Sequence, residues 1–428
     1  MEREILKSPL TGDECIHVKH SSGLDIYITE MNGFSSVEAL FGTKYGSVNT
    51  MFRMSSDNEY TTVPEGIAHF LEHKLFENED CDVFELYAKT GANANAFTSF
   101  DKTCYLFSCT KNYQESLKIL LDFVQKPYFT EASVAKEQGI IGQEIKMTND
   151  SPDWRLFFNL LRCLYHEHPV KIDIAGTTES IAQIDADLLY KCYNTFYNLN
   201  NMVLSVAGNI SADEVLKVCD ECLKPCEDKG LETVFPDEPS EIVQSGIRET
   251  QPVGTTLFSI GCKIAPCSGQ DRLLKTVKAT LAGEMFADPA SDFYQRLLKE
   301  QIINSSFGAE VFAGDGYFSL IFSGESETPE KVRDEIFAEI MKMRDGTFDS
   351  EHFERIRKSC YGMLIRELNN VEAVANLMIN THMDGIGPFD MINTLSKVSE
   401  KDVLDFICNE VLPERFAMSV VEGEDEND

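Results

Sequence analysis

The chain has 428 residues, and its 38 Lys plus Arg against 71 Asp plus Glu leave a net charge of −33. Hydrophobic residues make up 43% and charged residues 25%, the balance of a globular protein with a sizeable core in two or three domains. So negative a chain would repel phosphates, which excludes a broad nucleic-acid surface. No apolar run reaches the roughly 18 residues of a membrane span. The opening Met1 to Pro9 lacks the apolar stretch of a secretory signal. The expectation is a cytoplasmic protein with no nucleic acid and no membrane as partner. Its 13 cysteines, odd in number and scattered, read as free thiols.

In chain order, Leu24 to Ile28 alternates with period two and predicts a strand, and Val37 to Val48 continues extended. A helix is expected to start near Pro64, whose missing N–H costs nothing in a first turn. Thr103 to Cys109 reads as a strand and Tyr113 to Val124 as a helix. Thr130 caps a further helix. Asn201 to Ala207 is a strand, followed by a helix over Ser211 to Cys226. There Val215, Val218, Cys219, Cys222 and Leu223 share an apolar face, so Cys219, Cys222 and Cys226 read as packing rather than metal or redox chemistry. Residues 227–243, rich in Glu, Asp, Lys, Gly and Pro, form the linker candidate.

The second half repeats the plan. Thr255 to Ile264 is a strand and Arg272 to Glu300 is mainly helical. A hairpin turns at Gly314-Asp315-Gly316, long helices run from Pro329 to Leu404, and Phe416 to Val421 is a strand. Met202 to Gly208 echoes Met418 to Gly423. The division is therefore 1–226, linker 227–243, 244–421, and an acidic tail 422–428, with two related α/β domains.

Chemistry concentrates in Gly66-Ile67-Ala68-His69-Phe70-Leu71-Glu72-His73. On a helix, positions i and i+4 share a face, so His69 and His73 can present two imidazoles to one metal, with Glu72 flanking. This is H-x-x-E-H, the inverted zincin arrangement. Two neutral imidazoles suit Zn²⁺, and Glu72 beside it suits a general base towards water. A hydrolytic zinc site needs a third ligand. Glu137 and Glu144, two helical turns apart in Ala135 to Lys146, are both candidates, and spacing alone does not choose. Ile140, Ile141 and Ile145 suggest that this helix packs inside. His166 and His168, His17 and His20, His352 and His382 are expected to have ordinary structural or solvated roles.

These motifs resemble the M16 (pitrilysin) family of zinc metallopeptidases, and in detail its half-length bacterial YfmH-like branch, described as elongation factor P 5-aminopentanol modification-associated. The resemblance implies an α+β fold of two related α/β domains of the LuxS/mitochondrial-processing-peptidase-like type, each a mainly antiparallel sheet packed with helices. It implies one Zn²⁺ per chain held by His69, His73 and Glu144, with Glu72 as catalytic base and Glu137 as a supporting acid. Asn93, Ala94, Asn95, Ala96 and Phe97 resemble the family's substrate-binding edge strand. His168-Pro169, Gly176, Tyr197 and Asn201-Met202 match further.

The implied activity is endopeptidase cleavage of peptides or unfolded small proteins by metal-activated water, in a homodimer or a heterodimer with a related M16 chain. One departure stands out. The family's C-terminal Arg and Tyr, seven apart, meet Leu298 and Ser305 here, or Lys299 and Ser306 one residue on. Two alternatives remain: a noncatalytic M16-like subunit of a heterodimer, and a small-molecule zinc lyase using a cysteine such as Cys104 or Cys109 as third ligand.

Overall fold

The computed structural model describes residues 3–79 and 82–424. Cys81 and the tail residues 425–428 lie outside them. The cysteines among the described residues are all free thiols. The chain divides into two compact units, one of residues 1–145, 173–235 and 365–389, the other of 146–172, 236–364 and 390–428. Each half of the sequence thus lends one segment to the other half's unit.

The first unit is built on β1 (Arg3–Lys7), β2 (Glu14–Lys19), β3 (Asp25–Glu30) and β4 (Val37–Thr43). A small three-stranded sheet uses β5 (Met51–Arg53) and β6 (Thr61–Thr62), and β7 (Asn93–Thr98), β8 (Thr103–Cys109) and β9 (Met202–Gly208) complete the main sheet. Its order is β1-β2-β3-β9-β4-β8-β7, antiparallel except for β3 beside β9. β4 and β9 are buried along their whole length, as central strands covered on both faces must be. Tyr105 and Phe107 of β8 point into the core beneath α1 (Ile67–Leu75), α2 (Val83–Thr90) and α3 (Tyr113–Val124). The opposite face carries the helix Val371–Met383, supplied by the second half.

β10 (Glu232–Thr233) pairs with β5. The second unit then sets β11 (Gly246–Thr250), β12 (Leu257–Lys263), β13 (Gly308–Gly314), β14 (Tyr317–Glu325) and β15 (Phe416–Glu422) in the order β11-β15-β12-β14-β13. The first sheet has the same path in β3-β9-β4-β8-β7, down to one parallel pair at the same place. The resemblance between Met202 to Gly208 and Met418 to Gly423 marks equivalent strands, β9 and β15.

The exchanged helices occupy equivalent places too. After α4 (Glu131–Asn149), α5 (Pro152–Leu164) lies on β12 and β15. Gly261 of β12 makes room for it, since a Cβ there would stand 3.0 Å from both Leu160 and Leu164. In the first unit Gly42 of β4 does the same for Met383, at 3.3 Å.

Several expectations are corrected. The first helix begins at Ile67, not near Pro64, because Gly66 turns the chain in a left-handed conformation with φ of 87°. Ile141 and Ile145 are buried, but Ile140 is 46% exposed, so α4 packs with only one face. His20 is not solvated: it is buried, 2.8 Å from Ser22 Oγ and 3.2 Å from Asp220. Residues 227–243, the linker candidate, are held by β10 and by Glu238, whose carboxylate accepts the backbone N–H groups of His166, Glu167 and His168 and pairs with Lys263.

Candidate metal centre

α1 presents His69, Glu72 and His73 together. One ligating atom from each lies within 4.8 Å of the others, and they are the group so placed among the described residues. The helix is anchored by its apolar residues Ile67, Phe70, Leu71 and Leu75, all buried. Its entry is fixed by Gly66, where a Cβ would stand 2.3 Å from the carbonyl oxygen of Ala175. Gly176 crosses the same backbone in return, its Cβ position 2.6 Å from Glu65 O.

α4 runs alongside. Its start is capped by Thr130, whose hydroxyl accepts the Ser133 N–H at 3.2 Å. The side chains of Glu137 and Glu144, two turns apart, both reach α1. Glu144 lies 3.5 Å from His69 Nε2 through one oxygen and 3.5 Å from His73 Nε2 through the other. Glu137 lies 3.0 Å from His73 Nδ1. The two glutamates therefore meet different atoms of the same ring. A carboxylate only accepts, so His73 Nδ1 donates its proton to Glu137.

The donor set fits zinc. Around a tetrahedral zinc with bonds of 2.0–2.1 Å, neighbouring donors stand roughly 3.3 Å apart. The two separations of 3.5 Å come close to that before any ion draws the groups together. His69 Nδ1, by contrast, is buried and meets no hydrogen-bond partner, so of the two rings only that of His73 has a carboxylate at its Nδ1.

The charges divide the acids into two kinds. Burial raises the pKa of Glu72 and outweighs the opposing pull of His69, His73 and Thr98. The hydrogen bond to His69 holds Glu144 below its usual range. Burial works against ionised Glu137, but His73 and the nearby Lys74 and Lys136 prevail and lower it. Burial likewise works against charged His73, and the Glu137 bond with the carboxylates of Glu72 and Glu144 wins, raising it.

Among the described residues β7 is an edge of its sheet, paired only to β8. Asn93 and Asn95 are exposed; Ala94 and Ala96 pack against the core. The Ala96 N–H is met by the Asn95 side chain at 2.9 Å. Sequence reasoning missed two neighbours. Thr98 Oγ1 donates to Glu72 Oε2 at 3.1 Å, a contact that the period-two alternation with Ala94 and Ala96 could have indicated. Lys74 is fully buried and pairs with Glu77.

The cysteines raised as alternative ligands lie elsewhere. Cys104 Sγ is 2.9 Å from the position of a Cβ on Gly42, on the face covered by Val371–Met383. Cys109 pairs with Val37 at the far end of β8 from Thr103. In the second unit the helix Gly269–Ala287 holds the place between β12 and β13 that α1 and α2 hold between β4 and β7. Its buried middle runs through Ala279, Ala282 and Gly283, none of which carries a ligating side chain. All three are buried, and a Cβ on Gly283 would press within 3.0 Å of Ala309. Leu298 stands exposed at the end of Asp292–Lys299, and the Ser306 hydroxyl accepts the Glu325 N–H.

A duplicated α/β chain with two imidazoles and a carboxylate converging in its first unit defines a class, the two-domain proteins built on the metallopeptidase plan. Sequence comparison narrows this. The family described as Insulinase (Peptidase family M16) matches residues 55–178, and the one described as Peptidase M16 inactive domain matches 183–360. The chain is 37% identical to the uncharacterized zinc protease YmfH of Bacillus subtilis, over 95% of its own length and 96% of that protein. It is 32% identical to an uncharacterized zinc protease of Rickettsia bellii, over 79% and 80%. The crystal structure of an M16-like peptidase from Alicyclobacillus acidocaldarius superposes with a TM-score of 0.92 at 32% identity, covering 99% of this chain and 98% of that one. The chain belongs to the M16 peptidase family and has both of its domains at half-length. No described helix is long and apolar enough to cross a membrane.

Proposed function

We propose that the chain is a zinc-dependent endopeptidase acting on peptides or unfolded small proteins. The observation that carries this reading is the convergence of His69 Nε2 and His73 Nε2 on the two oxygens of Glu144, with Glu72 on the same helix face. His69, His73 and Glu144 would hold the ion. Zinc, when bound, supplies a Lewis acid that polarises a carbonyl and makes water more acidic.

The remaining work falls to side chains. Glu137 keeps the proton on His73 Nδ1, so Nε2 stays free to ligate. Glu72, half-buried, takes the proton from the attacking water and hands it to the leaving amine. An extended peptide adds to the open edge of β7 along Asn93, Ala94, Asn95, Ala96 and Phe97, with main-chain groups giving affinity. A dimer, of two copies or with a related M16 chain, belongs to the same proposal and is read by native mass spectrometry.

The test joins metal content with turnover. Glu72→Gln keeps one zinc per chain and loses cleavage of a quenched peptide library by about 10²–10⁴-fold. Glu144→Ala and His69→Ala lose the zinc. Wild-type protein that carries zinc yet cleaves nothing would instead be a noncatalytic subunit.

A further inference from the structure

We propose that Thr98 is the positioning residue for the base Glu72, and that it ties base alignment to the strand on which substrate docks; this rests on the endopeptidase reading above. Thr98 closes β7, in register with Thr103 of β8. Its Oγ1 lies 3.1 Å from Glu72 Oε2 and 3.3 Å from Thr103 Oγ1. Thr103 Oγ1 in turn lies 2.8 Å from the carbonyl oxygen of Tyr45, to which it donates. Thr103 and Tyr45 are both fully buried.

The chain of contacts has a direction. The Tyr45 carbonyl can only accept, so it takes the Thr103 proton. Thr98 has a single hydroxyl proton, and the Glu72 carboxylate is the acceptor that faces it. The rigid end is therefore the buried contact between Thr103 and Tyr45, and Glu72 is the group being held. Without this bond the carboxylate keeps its place on α1 but gains torsional freedom about its last bonds, which are broad by nature. A base must lie within hydrogen-bond reach of the proton it removes, so lost alignment appears in turnover more than in binding.

β7 also has an exposed edge. A peptide adding there orders the same six residues that end in Thr98. Docking and base alignment thus share one backbone, and a poorly seated peptide meets a poorly aimed base.

The experiment compares Thr98→Val, Thr98→Ser and Glu72→Gln in the zinc-loaded full chain. Thr98→Val preserves shape and removes the donor. It should lower kcat by about 10- to 100-fold, the worth of a hydrogen bond to a charged group, with KM within about twofold. Thr98→Ser should recover most of kcat. Zinc stoichiometry and melting temperature should match wild type in both, and a crystal structure of Thr98→Val should show the Glu72 carboxylate rotated or in several positions. Wild-type kcat in Thr98→Val, alongside an inactive Glu72→Gln, overturns the role of Thr98 and leaves the endopeptidase reading standing. Equal losses in the Val and Ser variants also overturn it. An active Glu72→Gln, or wild-type protein without zinc, sinks the parent reading instead.

Discussion

His73 Nδ1 lies 3.0 Å from Glu137 Oε1, while Nε2 of the same ring faces Glu144 at 3.5 Å. One imidazole is thus oriented by a carboxylate behind it and directed at another in front. Outer partners of this kind commonly set metal affinity by 10- to 100-fold. Glu137→Gln should therefore weaken zinc binding by about that factor while leaving the fold intact. Competition against a chelator of known affinity reads it. Unchanged affinity would reduce Glu137 to a neighbour of the site.

The free edge of β7 makes a separate prediction. The Ala96 N–H turns away from β8 and is met by the Asn95 side chain. Proline is tolerated on edge strands where the N–H faces outward. Ala96→Pro should lower kcat/KM for peptides about 5- to 10-fold, the worth of a lost main-chain hydrogen bond, chiefly through KM. Zinc content should not change. If cleavage is unaffected, substrate does not pair with β7 at Ala96.

The crossing of Gly66 with Gly176 is a stability matter. Gly66 combines φ of 87° with a Cβ position 2.3 Å from a carbonyl oxygen. Gly66→Ala should cost about 3 kcal/mol or more, by strain and by displacing neighbouring backbone. α1 starts there, so zinc occupancy should fall as well. Thermal melts and metal analysis together report both. A variant as stable as wild type would mean that the two backbones can part cheaply.

His168 carries a pH dependence in the second unit. It is buried, its Nδ1 accepts the Val170 N–H, and its Nε2 donates to the Asp315 carbonyl oxygen. Burial pushes its pKa down from 6.5 to about 4. The unfolded chain therefore binds this proton more readily than the folded one. The stabilisation is complete above about pH 6.5 and is lost as pH falls through about 4, with a ceiling of about 3 kcal/mol. Urea midpoints should drop between pH 6.5 and 4.5 more steeply in wild type than in His168→Gln. Parallel slopes would remove His168 from the account.

How much of this was legible beforehand depends on distance along the chain. His69, Glu72 and His73 can be read from sequence because helical geometry alone puts positions i, i+3 and i+4 on one face. The repeated strand pattern and the echo between Met202 and Met418 likewise announce a duplication, since alternation is local to each strand. Which of Glu137 and Glu144 faces both rings was not open to such reasoning: both lie on one face of α4, and only the angle at which α4 meets α1 separates them. The exposure of Ile140, the burial of His20, the anchoring of Glu238 and the exchange of α5 for Val371–Met383 are of the same kind. Each depends on what a side chain meets from a segment distant in sequence, and periodicity says which residues share a face without saying what covers it.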